Sequence, residues 1–132
     1  SQPLLERIDL CADVPPVNFS QISGEKSGES SALIRKRVEK ARRIQQKRYQ
    51  NEKICFNGEL SGKQIRKYCV LTENAFQVAK NAFELMGLSA RSYHRILKVS
   101  RTIADMEGEE LIHTRHVAEA LTYKAFDKKY RS

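Results

Sequence analysis

The chain has little cysteine: Cys11, Cys55 and Cys69 are odd in number, widely spaced and without a Cys-x-x-Cys pair. That excludes a disulfide framework and fits a reducing, cytoplasmic compartment. Zinc would require these thiols to combine with His94, His113 and His116, and one isolated His-x-x-His is too little to support it, so no metal site is expected. No apolar run reaches the roughly 18 residues that span a bilayer, and Ser1 to Leu10 have neither the basic nor the apolar region of a secretory signal. A soluble protein with no membrane association is the expectation. The first residue is not methionine, which points to a piece of a longer chain. Also missing is any G-x-x-x-x-G-K-[ST] loop to wrap a triphosphate, and no Ser/His/Asp set has a recognisable local context. The 132 residues are therefore not expected to catalyse a reaction alone, although they suffice for one domain plus a stub of a second.

Positive charge is abundant, and it is concentrated. Of the formal net charge of +8, the 17 residues Ile34 to Gln50 contribute +7, from Arg35, Lys36, Arg37, Lys40, Arg42, Arg43, Lys47 and Arg48 against Glu39. A stripe of this density suits nucleic-acid phosphates, and it equally suits a solvated helix face.

Hydrophobic spacing divides the chain into a short extended piece, a linker and a series of helices. Pro3 to Arg7 has the form of a last helical turn. Ile8, Leu10, Ala12 and Val14 alternate with Asp9, Cys11 and Asp13, the period of a strand, before Pro15 and Pro16 end it. A lone strand leaves its backbone unpaired, so its sheet is expected to lie elsewhere, and residues 1–17 read as the end of an upstream domain. Residues 18–30, rich in Ser, Gly and Glu, read as a linker.

Residues 31–132 read as a mainly α helical bundle. Ser30 or Ser31 caps a helix to about Tyr49 with a narrow seam of Ile34, Val38, Ala41 and Ile44 or Gln45. Asn51 to Ser61 is a loop; Asn57-Gly58 lacks the alternating flanks of a hairpin. A short helix follows over Gly62 to Cys69. Thr72 caps the next, which ends near Gly87 with Ala75, Phe76, Ala79, Ala82, Phe83 and Met86 on one face. Ser89 caps a helix that buries Tyr93, Ile96, Leu97, Ser100, Ile103 and Ala104, with Arg91, His94, Arg95, Lys98, Arg101 and Asp105 on the opposite face, until Gly108 stops it. Thr114 caps the last, with Val117, Ala118, Leu121 and Ala125 inward, before the chain frays into Lys128 to Arg131.

Two arginines stand at junctions between elements. Arg91 falls in the first turn of its helix, where the partial positive charge of the N-terminus disfavours a cation and a bound anion would reverse the sign. Arg7 precedes the alternating segment. A guanidinium, with its fixed charge and forked donors, suits a phosphate at either place. Alternatively, Arg7 pairs with Glu6 or Asp9, and Arg91 lies along its helix facing water.

Pro3-Leu4-Leu5-Glu6-Arg7-Ile8-Asp9-Leu10 resembles the arginine-finger segment that closes the core of helix-insert AAA+ ATPases. Leu88 to Asp105, beginning Leu88-Ser89-Ala90-Arg91-Ser92-Tyr93-His94-Arg95, resembles the lid segment of the magnesium-chelatase-related subfamily of the ComM and YifB type. His116 to Tyr123 is similar to that subfamily's closing motif, with Thr122 where a Gln is more usual. The resemblance is weakest over residues 18–26 and after Lys124. It implies a helical lid preceded by the last strand of an α/β ATPase core, with Arg91 as the sensor-2 arginine contacting nucleotide and Arg7 as the finger presented to ATP on a neighbouring subunit. For the parent protein it implies ATP and Mg2+, an upstream core, a hexameric ring, and work on DNA related to branch migration or transformation. No residue here indicates porphyrin metallation.

Overall fold

The computed structural model describes residues 8–12, 14–16 and 28–124; Arg7, most of the expected linker and the residues after Lys124 lie outside that set. Five helices follow in order: α1 (Ser31–Arg48), α2 (Gly62–Tyr68), α3 (Glu73–Met86), α4 (Ala90–Glu107) and α5 (Thr114–Lys124), with a 3-10 turn at Asn57–Glu59 between α1 and α2. The starts of the first four are set by hydroxyl caps. Ser30, Thr72 and Ser89 each accept the backbone N–H three residues on. Ser61 and Gln64 close a reciprocal capping box. Gly87 and Gly108 end α3 and α4 at φ 60° and 75°, where a side chain would be strained.

The last helix departs from expectation by one residue. Thr114 is its first residue rather than its cap, and the orphan N–H of His113 is taken by Nδ1 of His116 at 2.9 Å. Its inward positions are His116, Val117 and Ala120, with Leu121 packed half-buried against the core as expected, while Ala118 is exposed.

Helix α4 is the centre of the bundle, packed against α1, α2, α5 and the 3-10 turn, and α5 also packs on α3. The core joins Tyr49, Leu60, Ile65, Cys69, Ala75, Ala79, Leu97, Ala104, Ile112 and Val117. A single parallel bridge, Leu71 to Ile112, ties the two inter-helix connections together. Phe76 and Phe83, expected on the buried face of α3, keep much of their surface in solvent, although Phe83 meets Tyr93 edge to face at 5.4 Å.

The alternating segment forms no strand among its described residues, and Ile8, Leu10 and Val14 are exposed. Alternation gives one apolar face, but a strand also requires a neighbour to take its hydrogen bonds, and no described residue supplies one.

Cys69 lies in the core, where burial pushes its thiol up to about 11, whereas Cys55 is exposed. A folded pKa above the unfolded one means the stabilisation is complete below the unfolded value near 9 and fades as pH rises towards 11. We expect urea midpoints to fall over that alkaline window in wild type and less in Cys69→Ala. Thiol labelling of the native protein at neutral pH should reach Cys55 and spare Cys69.

Candidate functional site

Helix α1 is held to the bundle by polar contacts more than by its apolar seam. Residues 31–40 are all exposed, Ile34 and Val38 among them, so the first half of α1 buries no side chain in the core. Attachment begins at Ala41 and Gln45 and is completed by Arg48 and Tyr49.

Arg48 turns inward, and its guanidinium grips Asp105 with both nitrogens, at 2.9 and 2.5 Å. Asp105 is fully buried, and it also receives Asn57 Nδ2 at 2.8 Å and Arg101 Nε at 3.2 Å. Tyr49 donates to Asn57 Oδ1, and the Asn57 N–H reaches Gln45 Oε1. Arg101, 1 % exposed, spends its remaining donors on the carbonyls of Glu109 and Glu110 just past the end of α4. Burial opposes the charge on Arg48, but the hydrogen bonds and charge of Asp105 outweigh it and hold its pKa above the ordinary value. For Arg101 burial wins, aided by the neighbouring Arg48, and the pKa is lowered despite Asp105.

This corrects the expectation that the face of α4 bearing Arg101 and Asp105 lies opposite the buried one. Arg101 and Asp105 form a buried ionic centre because α1 and the 3-10 turn pack over that side of α4. Lys98 donates to the Gly58 carbonyl, and Arg95, 15 % exposed in its side chain, faces Asp9 at 3.1 Å. It also changes the candidate phosphate stripe: Arg48 belongs to the fold. Arg35, Lys36, Arg37, Lys40, Arg42, Arg43 and Lys47 stay exposed; Arg37 pairs with Glu29, and Arg42 lies over the Phe56 ring. The i, i+4 spacing of Arg101 and Asp105 was the available signal for the pair, but not for its burial.

Arg91 is exposed in the first turn of α4, a turn with no acidic residue, beside the amides capped by Ser89. No ion pair engages it among the described residues. Next to it Tyr93 and His94 line an open groove of about 680 Å³ with an apolar floor of Ile65, Leu71, Phe76 and Leu97, and Lys63 and Arg66 on its rim. Arg7 lies outside the described residues; of the segment after it, Asp9 meets Arg95 of α4 and Leu10 borders a cleft with Val99 and Ile103.

The sequence profile described as "Magnesium chelatase, subunit ChlI C-terminal" matches residues 28–124, the whole helical bundle. The chain belongs to that family. Among similar proteins are "Competence protein ComM" of Haemophilus influenzae, 44 % identical over 95 % of this chain and 24 % of its own length, and "Uncharacterized protein YifB" of Salmonella typhimurium, 39 % identical over 97 % and 25 %. YifB of Escherichia coli is 37 % identical over 97 % of this chain and 25 % of its own length. The chain thus spans about a quarter of the length of these curated relatives. Arg91, the groove beside it and the α1 stripe all fall inside the segment matched by the ChlI C-terminal family. Arg7 and Asp9 precede it. No described helix is long and apolar enough to cross a membrane.

Proposed function

We propose that this domain is the lid of an AAA+ ATPase, and that it senses nucleotide through Arg91 and passes the state of the phosphate to the rest of a ring. The observation that carries the proposal is the exposed, unneutralised Arg91 at the positive end of α4. Amide N–H groups and a guanidinium there make a two-part anion site, so a phosphate would turn a mildly unfavourable arrangement into a favourable one. The cationic rim of the adjoining groove favours the same sign of ligand. Membership of a magnesium-chelatase family supports reading that ligand as Mg-ATP in the parent protein. In this reading Mg2+ is held with the nucleotide by the upstream core.

In this reading Arg7 is the finger, offered to ATP on the neighbouring subunit, and the cycle is coupled to remodelling of DNA in the cytoplasm. The test is ATP turnover by the full-length protein carrying Arg91→Ala. Loss of a charged contact to phosphate should lower kcat/KM by about tenfold or more, since 1.4 kcal/mol is a factor of ten. Wild-type kinetics and wild-type coupling to DNA would refute the assignment.

A second reading is favoured by α1. Six of its seven outward cations have no carboxylate partner among the described residues, on a helix whose first ten residues are all exposed. We propose that this face contacts DNA phosphates. Binding of duplex DNA by the domain should fall with salt at a log-log slope of about −0.9 per phosphate engaged, and Arg42→Ala with Arg43→Ala should flatten it by about two contacts. A slope near zero, or no binding at low salt, would remove the idea.

A further inference from the structure

Folding leaves a cluster of large apolar side chains around one open hollow. The groove of about 680 Å³ runs between α2, the connection into α3 and the first turns of α4. Val70 and Phe76, which line it, are each 47 % exposed, while Ile65, Cys69 and Leu97 in the same lining are buried. Single apolar residues on a surface are ordinary, but several gathered about one hollow mark a binding surface.

The chemistry of the lining narrows the occupant. Apart from the Cys69 thiol, its polar side chains are Tyr93 and His94 on α4 and Lys63 and Arg66 on α2. A nucleobase or sugar on so apolar a floor would leave ring edges or hydroxyls without partners, whereas the leucine or phenylalanine side chains of a peptide need only contact. Lys63 and Arg66 stand three residues apart and therefore share one side of α2. Both are exposed, and neither pairs with a carboxylate among the described residues, in contrast to Lys67, which lies 3.6 Å from Glu52. No Asp or Glu lines the groove. An apolar floor under a rim of one sign complements a segment that carries apolar side chains beside carboxylates, and rim charges of this kind steer and select the partner. No residue of α1 takes part, so the surface is separate from the proposed DNA stripe.

We propose that this groove docks an acidic amphipathic segment of a partner protein: its apolar side chains lie on Leu71, Phe76 and Leu97, and its carboxylates meet Lys63 and Arg66. The docking is independent of nucleotide sensing by Arg91.

The experiment is fluorescence anisotropy of a labelled peptide of about 12 residues, with leucine or phenylalanine at every third or fourth position and Asp or Glu elsewhere. It is titrated with the full-length protein and with the 132-residue chain, beside a control peptide in which lysine replaces every acid. The acidic peptide should bind both proteins, about tenfold more tightly than the control, and lose affinity as salt rises. Lys63→Glu with Arg66→Glu should weaken it by about tenfold or more, and Phe76→Ala by a similar factor. The rim pair is exposed, so its reversal should leave Tm at the wild-type value whatever Phe76→Ala does to stability. Failure of the acidic peptide to bind, equal binding of the lysine control, or unchanged affinity in the rim variant overturns the proposal. Binding by the 132-residue chain but not by the full-length protein assigns the groove to a segment of the upstream core and also overturns it. So does self-association of the chain that the rim variant abolishes, which assigns the groove to a second copy. Loss of DNA binding rather than peptide binding in the rim variant makes the rim a phosphate contact and overturns it as well. Each of these outcomes leaves the lid reading to its own test, turnover by Arg91→Ala.

Discussion

Asp105→Ala is expected to destabilise the bundle by about 3–5 kcal/mol, the usual result of leaving buried charge without its partner. Asp105 is fully enclosed and is the only carboxylate among the described residues that meets both Arg48 and Arg101. Removing it strands one guanidinium that is 1 % exposed and a second that is 16 % exposed. Asn57 Nδ2 also loses one of its two acceptors, keeping Thr102. For a domain of this size the change corresponds to a drop in Tm of at least about 12 °C. The effect should extend to geometry, because Arg48 is the last residue of α1 and its grip on α4 is what the exposed Ile34 and Val38 do not supply. Hydrogen exchange in α1 should therefore rise more than in α3. Arg115→Ala is the matched control: that arginine bridges Glu107 and Glu109 on the surface and should cost less than about 1 kcal/mol. Equal urea midpoints for Asp105→Ala and Arg115→Ala would contradict the account.

Arg7→Ala is expected to leave ATP binding to the full-length protein largely intact while lowering turnover by about 10³–10⁵-fold. Phosphoryl transfer spreads negative charge over the γ-phosphate oxygens, and an arginine brought to them late in the reaction stabilises the transition state more than the bound nucleotide. That asymmetry separates the proposed finger from Arg91, whose contact is made to the bound phosphate and should register in binding and in lid movement. If Arg7 acts on the neighbouring subunit, inactive Arg7→Ala protein mixed with protein unable to bind ATP should regain turnover at their shared interfaces. Absence of any recovery would place the finger on its own subunit, and normal turnover by Arg7→Ala alone would end the assignment.

Much of this fold was legible from local chemistry. Ser30, Thr72 and Ser89 mark helix starts because a hydroxyl satisfies an orphan N–H within three residues, and Gly87 and Gly108 mark ends because the left-handed turn needs no distant partner. The entrance to α5 was misread by one position, since its cap interaction comes from an imidazole at His116 rather than a hydroxyl at Thr114. The ionic centre was not legible. Arg101 and Asp105 lie on the polar side of α4 by helical period, and only the docking of Arg48, 57 residues away from Asp105, and of the Asn57 turn puts them in the core. The Ile8 to Val14 alternation shows the converse limit, since a strand's period does not supply a strand's neighbour.

Of the candidate site, Arg91 was legible as an electrostatic misfit, and the structure keeps that misfit unanswered by any acid in its turn. The basic stripe was legible as charge, but not which member faces inward, because Arg48 differs from its neighbours only in what α4 offers it. The pairing of Arg95 was not legible, because its partner Asp9 lies 86 positions earlier, beyond the reach of any helical or alternating pattern.

The most direct test of nucleotide sensing is the distance between the lid and the upstream core in the full-length protein, read by energy transfer from a label on the exposed Cys55 with the other cysteines removed. The account predicts that ATP and ADP give two different distances in wild type and that Arg91→Ala gives the same distance with either nucleotide. A full nucleotide-dependent shift in Arg91→Ala would contradict it.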